Sequence, residues 1–79
     1  MSVVVRLFAG AAEAAGVDET VIEAASAAEL REALVRAHGG DLAAVLPRCS
    51  LLSDGEYLEP GDAISSGATV DVLPPFAGG

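Results

Sequence analysis

The spacing of apolar positions changes along the chain, and each change marks an element. Ser2–Ala9 is β-branched and largely apolar, with Val3, Val5 and Leu7 on one alternating face, so it reads as a strand. Val4 and Phe8 lie on the opposite face beside Arg6, and a strand apolar on both sides belongs inside a sheet rather than at its edge. Gly10 is expected to break this strand, and Ala11–Ala15 to form a short helical turn that Gly16 ends. Asp18–Glu19 then marks a turn, and Thr20–Ala24 a second, short strand.

From Ser26 the period switches to that of a helix. Ser26 and Glu29 form an S-x-x-E capping box, in which each side chain accepts from the other's backbone N–H. Leu30, Ala33, Leu34 and Ala37 follow at i, i+3, i+4 and i+7 as one apolar stripe, and Gly39–Gly40 stops the helix. Asp41–Leu46 predicts a further helical turn ended by Pro47. Cys49–Leu52 and Tyr57–Leu58 flank Ser53-Asp54-Gly55-Glu56, where Asp-Gly suits a tight hairpin turn. Ala68–Leu73 is the last strand, with Val70 and Val72 inward and Thr69 and Asp71 outward. Pro74–Pro75 lacks ladder donors, so the strand must stop there and residues 74–79 leave as a projecting tail.

Strand, turn, strand, helix, hairpin, strand is the order of an α+β domain in which one main helix packs across a small mixed β-sheet. It is the β-grasp, or ubiquitin-like, arrangement, with the first and last strands side by side and parallel at its centre. Residues 1–79 make a single domain of this kind. A domain so short buries only about 60–65% of its unfolded surface, so nearly every apolar element must contribute to the core.

Charge narrows the partners. Twelve acidic residues against four basic ones give a formal net charge of −8, which argues against nucleic acid and against an anionic membrane surface. All four basic residues are arginines, Arg6, Arg31, Arg36 and Arg48, so no lysine side chain can serve as nucleophile or conjugation acceptor. No signal pattern and no apolar run of transmembrane length is present, and a cytoplasmic location is expected.

Conventional active-site constellations are missing from the body. Asp54, Glu56, Glu59 and Asp62 read as a solvated acidic rim, and His38 as a cation suited to the helix C-terminus. Cys49, the only cysteine, reads as a buried structural thiol, and Gly39–Gly40 follows a helix rather than opening one on a phosphate. No metal site is expected.

The C-terminal residues differ. At a glycine frequency of about 7%, two terminal glycines arise by chance in about one chain in 200. Here they follow a strand, a di-proline stop and one aromatic. Gly78 and Gly79 lack a Cβ, so they suit threading a narrow channel that brings the α-carboxylate of Gly79 to a distant reactive centre. Pro74 and Pro75 stiffen the base of the tail and lower the ordering cost of insertion. Phe76 is a large apolar group on a segment that should not reach its own core, as an anchor for a partner does. A carboxylate needs activation, and acyl-adenylation would supply a leaving group.

At this point the chain resembles the MoaD branch of the MoaD/ThiS sulfur-carrier family, the small subunits of molybdopterin synthase. The matching residues are Val5-Arg6-Leu7-Phe8-Ala9 with Ala14-Ala15-Gly16, and Val70-Asp71-Val72-Leu73-Pro74-Pro75-Phe76-Ala77-Gly78-Gly79. Where many relatives carry an Asn-Gly hairpin and an Asp-Gly-Asp-Glu-Val run, this chain has Ser53-Asp54-Gly55 and Ser66-Gly67-Ala68-Thr69-Val70. The resemblance implies a chain that is not catalytic alone but is the sulfur-donating subunit of a sulfurtransferase complex. It implies that Gly79 is adenylated by an E1-like enzyme using ATP and Mg, and becomes a thiocarboxylate. That sulfur then passes to a cyclic pyranopterin precursor of the molybdenum cofactor. Gly78 and Ala77 would insert, and Phe76 with Pro75 and Pro74 would pack on the partner. The implied partners are the adenylating enzyme, a sulfur donor system and a large synthase subunit in a heterotetramer; the chain itself would bind no cofactor. Sulfur delivery to thiazole or another acceptor, a ubiquitin-like protein modifier joined through Gly79, and a binding module with an incidental tail are the other readings open to this sequence.

Overall fold

In the computed structural model, which describes residues 2–75, the first alternating segment forms strand β1, Ser2–Leu7. Val3, Val5 and Leu7 are buried while Ser2 and Arg6 stay exposed, as the period of two requires. Strand β2, Glu19–Glu23, pairs antiparallel with β1, and Val3 lies opposite Ile22. Strands β3, Ser50–Ser53, and β4, Glu56–Tyr57, form the hairpin, and β5, Thr69–Leu73, ends the sheet's sequence order. The spatial order is β2-β1-β5-β3-β4. Strand β1 is therefore internal, as its two apolar faces predict. It runs parallel to β5, with Val5 opposite Val70 and Leu7 opposite Val72.

Helix α2, Ala27–His38, lies over the inward face of the sheet and buries Ala27, Leu30 and Leu34 in one cluster with Val3, Val5, Leu51, Val70 and Val72. Its stripe departs from the sequence expectation at the last turn. Ala37 is exposed, and the row continues instead through half-buried His38, whose Nε2 lies 3.3 Å from Thr20 Oγ1 on β2. A 3.6-residue period permits either position, and the polar contact with β2 accompanies the choice of His38. The cap is also modified. Ser26 Oγ accepts from the Glu29 N–H at 3.2 Å, but the Glu29 carboxylate accepts from the N–H of Ala25 at 3.0 Å, one residue before the expected donor.

Two short helices complete the helical layer. Helix α1, Ala9–Ala15, begins earlier than expected: the chain turns at Ala9, with φ of 50°, so Gly10 lies inside the helix instead of breaking a strand. Burial of Ala11 is what the turn gains. Helix α3, Gly40–Val45, follows α2 directly. The corner between them is Gly39, at φ of 93°, a conformation that side chains with a Cβ rarely adopt. As expected, α3 ends just before Pro47, with Leu46 as its C-cap, and Pro47 itself lies at the start of a 3-10 turn, Leu46–Arg48, where its missing N–H costs no hydrogen bond. In the hairpin, Asp54 and Gly55 have φ of 51° and 81°, the paired positive values of the turn that Asp-Gly predicts. The fold is thus the ubiquitin-like β-grasp, a mixed five-stranded sheet with its helices on one face.

Leu34 is fully buried at the centre of that contact, so Leu34→Ala should destabilise the protein by about 2–5 kcal/mol, a large share of the total for a small domain. Chemical denaturation checks this, and a loss below about half a kcal/mol would contradict the packing described.

Candidate functional site

Strand β5 lies between β1 and β3, with Val70 and Val72 fully buried. It stops at Leu73; Pro74 is buried and Pro75 exposed, so the chain reaches the surface between the two prolines. Pro74 therefore does not belong to the exposed tail expected from the sequence. Phe76, Ala77, Gly78 and Gly79 lie outside the described residues, and the roles expected of them rest on the sequence.

The base of this exit is tied to β1 in two ways. The Phe8 N–H donates to Val72 O at 3.3 Å, which extends the parallel ladder past the end of β1. One step earlier Arg6 and Asp71 are partners across the two strands, with Arg6 Nε 3.0 Å from Asp71 Oδ1. The contact is an ion pair without an aligned hydrogen bond, because that oxygen is buried with no hydrogen-bond partner of its own. The same guanidinium lies 5.5 Å from the centre of the Phe8 ring, within cation–π range. Half-exposed pairs of this kind contribute about 0–1 kcal/mol, so the cluster orders the outward face of the strand ends more than it stabilises the fold.

That outward face is the feature sequence reading left unassigned. Registry places Val4 between Val21 on β2 and Thr69 on β5, while Leu52 on β3 lies between Asp71 and Tyr57. Val21 is 63% exposed and Tyr57 71%, so the side of the sheet away from the helices presents apolar groups around the Arg6–Asp71 pair. The signal was in the sequence as the second apolar face of β1, but its neighbours follow only from strand order. Such an exposed apolar surface is suited to binding a protein.

Cys49 is buried, and its Sγ lies 3.5 Å from Val45 O. Burial pushes its thiol up, with Arg31 pulling partly the other way, so the thiol form is favoured. Asp54, Glu56, Glu59 and Asp62 are exposed, and Asp62 Oδ2 closes its own turn by accepting from the Glu59 N–H at 2.8 Å. Among the described residues no group of three or more His, Cys, Asp and Glu is placed to hold a metal ion. Nor is any helix among them long and apolar enough to cross a membrane.

The ThiS family model matches residues 5–79. Among solved structures the chain is similar to SAMP1 from Haloferax volcanii, at 29% identity and a TM-score of 0.84, with 100% of both chains covered. It is similar to a putative molybdopterin converting factor subunit 1 from Pyrococcus furiosus, at 25% identity and a TM-score of 0.80, over 95% of this chain and 98% of that one. It is also similar to a chain in the complex of subunits 1 and 2 of molybdopterin-converting factor from Helicobacter pylori, at 25% identity, a TM-score of 0.75 and 100% of both chains. No curated protein matches the chain.

Burial makes a direct prediction for Cys49. In the native protein at neutral pH it should react with a thiol-specific disulfide reagent about a hundredfold more slowly than in denaturant, and its reaction should rise only at higher pH than in the unfolded chain. Equal rates folded and unfolded would show that the thiol is accessible and ionisable.

Proposed function

Because the chain belongs to the ThiS family, we propose that it is a sulfur carrier whose working group is the α-carboxylate of Gly79. The observation that carries this reading is the extent of the family match: it continues past the last strand to residue 79, through the residues that would reach a partner's active centre. An E1-like enzyme, using ATP and Mg, transfers AMP to the Gly79 carboxylate and releases pyrophosphate. A sulfur nucleophile from the donor system then displaces AMP and leaves a thiocarboxylate. The chain contributes reach and fit: Gly78 and Ala77 pass the channel, while Phe76 and Pro75 pack at its mouth. Its own side chains hold no cofactor.

The acceptor we propose is a cyclic pyranopterin precursor, with the chain acting as the small subunit of molybdopterin synthase in the cytoplasm. The Pyrococcus furiosus and Helicobacter pylori neighbours support this choice, and the latter is a complex of two subunits, which supports a large-subunit partner. The outward sheet face around Val21 and Tyr57, beside Arg6 and Asp71, is the surface offered to that partner. A second reading, attachment to other proteins as a modifier, is favoured by the likeness to SAMP1. In that role the absence of lysine would prevent chains built on its own side chains.

Variants of the terminus separate the carrier from its body. Adding one residue after Gly79 replaces the acid with an unreactive amide, and deleting Gly79 withdraws it by about 3.3–3.6 Å. Both changes should leave the thermal melt unchanged and abolish adenylation and single-turnover sulfur transfer, since displacements of about 1 Å already cost about a hundredfold in a positioned reaction. Gly78→Val should do the same by blocking the channel. Delivery of sulfur by the extended chain, untrimmed, would contradict the reading. Phe76→Ala should weaken binding to the large subunit by about 2 kcal/mol with little change in melting temperature. Unfolding with normal binding would place Phe76 in the core instead.

A further inference from the structure

One stretch of the helical side, residues 31–48, differs in charge from the rest of the chain. Residues 31–48 hold three of the four arginines but only two of the twelve acidic residues, so positive charge exceeds negative there in a protein of net charge −8. Two of them, Arg31 and Arg36, line a groove of about 500 Å³ between α2, α3 and the 3-10 turn, whose floor is apolar: Val35, Ala43, Leu46 and Pro47. Arg36 lines the groove from α2, and Arg48 is next in sequence to the lining residue Pro47, at the end of the 3-10 turn. Neither makes an ion pair among the described residues, and both are exposed. Glu32, also on the α2 rim, is the one acidic group lining the groove.

The groove is held open by the chain itself. Arg31 reaches from α2 to the 3-10 turn, donating from one Nη to Leu46 O at 2.8 Å and from the other to Cys49 O at 2.9 Å. These bonds fix the distance between the walls, so an occupant need not order them on binding. Gly39 sets the corner that brings α3 alongside α2. The position matters as well. Leu30 and Leu34 of α2 and Leu42 of α3 join the core from the helical side, whereas Val4, Val21 and Tyr57 face outward from the other side of the sheet. A protein in the groove would leave that outward face free.

We propose that this groove docks an acidic protein segment, an aliphatic side chain entering the apolar floor while flanking carboxylates meet Arg36 and Arg48. Charge complementarity selects this occupant. The rest of the chain is so acidic that a general acidic surface would be repelled everywhere but here, and a basic segment would be drawn elsewhere. Arginine forks also suit carboxylates geometrically. This inference is independent of the sulfur-carrier reading and holds for any function of the tail.

The test uses the full chain and two synthetic peptides of equal length, one of alternating leucine and glutamate, the other of leucine and lysine, with a single-stranded oligouridine as a third probe. Titrations followed by backbone amide resonances and fluorescence anisotropy should show the glutamate peptide binding, with perturbed amides concentrated in residues 31–48 and affinity falling with salt. R36E combined with R48E should weaken that binding about tenfold or more with an unchanged melt, the effect of losing charge-assisted contacts. Ala43→Arg, which adds positive charge but fills the floor, should weaken it comparably and so separates shape from charge. No binding of the glutamate peptide overturns the proposal. So does binding that Ala43→Arg leaves intact, tighter binding of the lysine peptide or the oligouridine, or perturbation centred on the outward sheet face. Self-association at rising concentration that R36E abolishes would assign the groove to a second copy and overturn it equally.

Discussion

Parallel pairing of β1 with β5 is the constraint on which the other features depend. Parallel neighbours cannot be joined by a tight turn, so the chain from Phe8 to Ala68 has to cross over and return. Its apolar residues have only one large surface to cover, the inward face formed by Val3, Val5, Leu7, Val70 and Val72, all nearly or fully buried. Leu30, Leu34, Leu42 and Leu51 complete that layer. In a domain of this size no second core is available, so losing this one register would misplace most of the buried apolar area together.

The same register organises the surfaces. Setting Val5 against Val70 sets Arg6 against Asp71 on the outward face, and it brings Phe8 to the point where β5 ends. The last strand is thus paired with β1 up to Val72 and with β3 up to Leu73, and the chain reaches the surface at Pro75. In the proposed carrier role, the reactive group would enter a partner while the folded body determines which partner is met. On the helical side, the arginines outnumber the acidic residues only within residues 31–48.

The elements written in strong local patterns were legible without coordinates. The alternation of Val3, Val5 and Leu7, the Ser26 cap, the Asp54-Gly55 turn and the parallel central pair all appear where the sequence predicts. The misreadings share a cause, since each concerns a position where two local solutions are nearly equal and packing decides. Gly10 tolerates a helix as well as a break, and Ala37 and His38 both satisfy the helical period. At Pro74 the strand stop and the surface do not coincide, because burial continues one residue beyond the ladder. The outward sheet face needed strand order to assemble Val4, Val21, Leu52 and Tyr57 from separate segments, which no local pattern supplies. The terminal residues were the reverse case: their interest lies in residue type and order, so the sequence alone carried it.

The central claim is that this fold presents a terminus to be chemically charged with sulfur. It is tested most directly by intact-mass measurement of the untagged protein from its own cells, with fragmentation to localise any change. The account predicts a population in which one oxygen of Gly79 is replaced by one sulfur, and predicts that incubation with the acceptor enzyme returns it to the carboxylate. A protein whose terminus is always an unmodified carboxylate while the adenylating enzyme is active, or whose Gly79 is found joined to amines of other proteins instead, would contradict it.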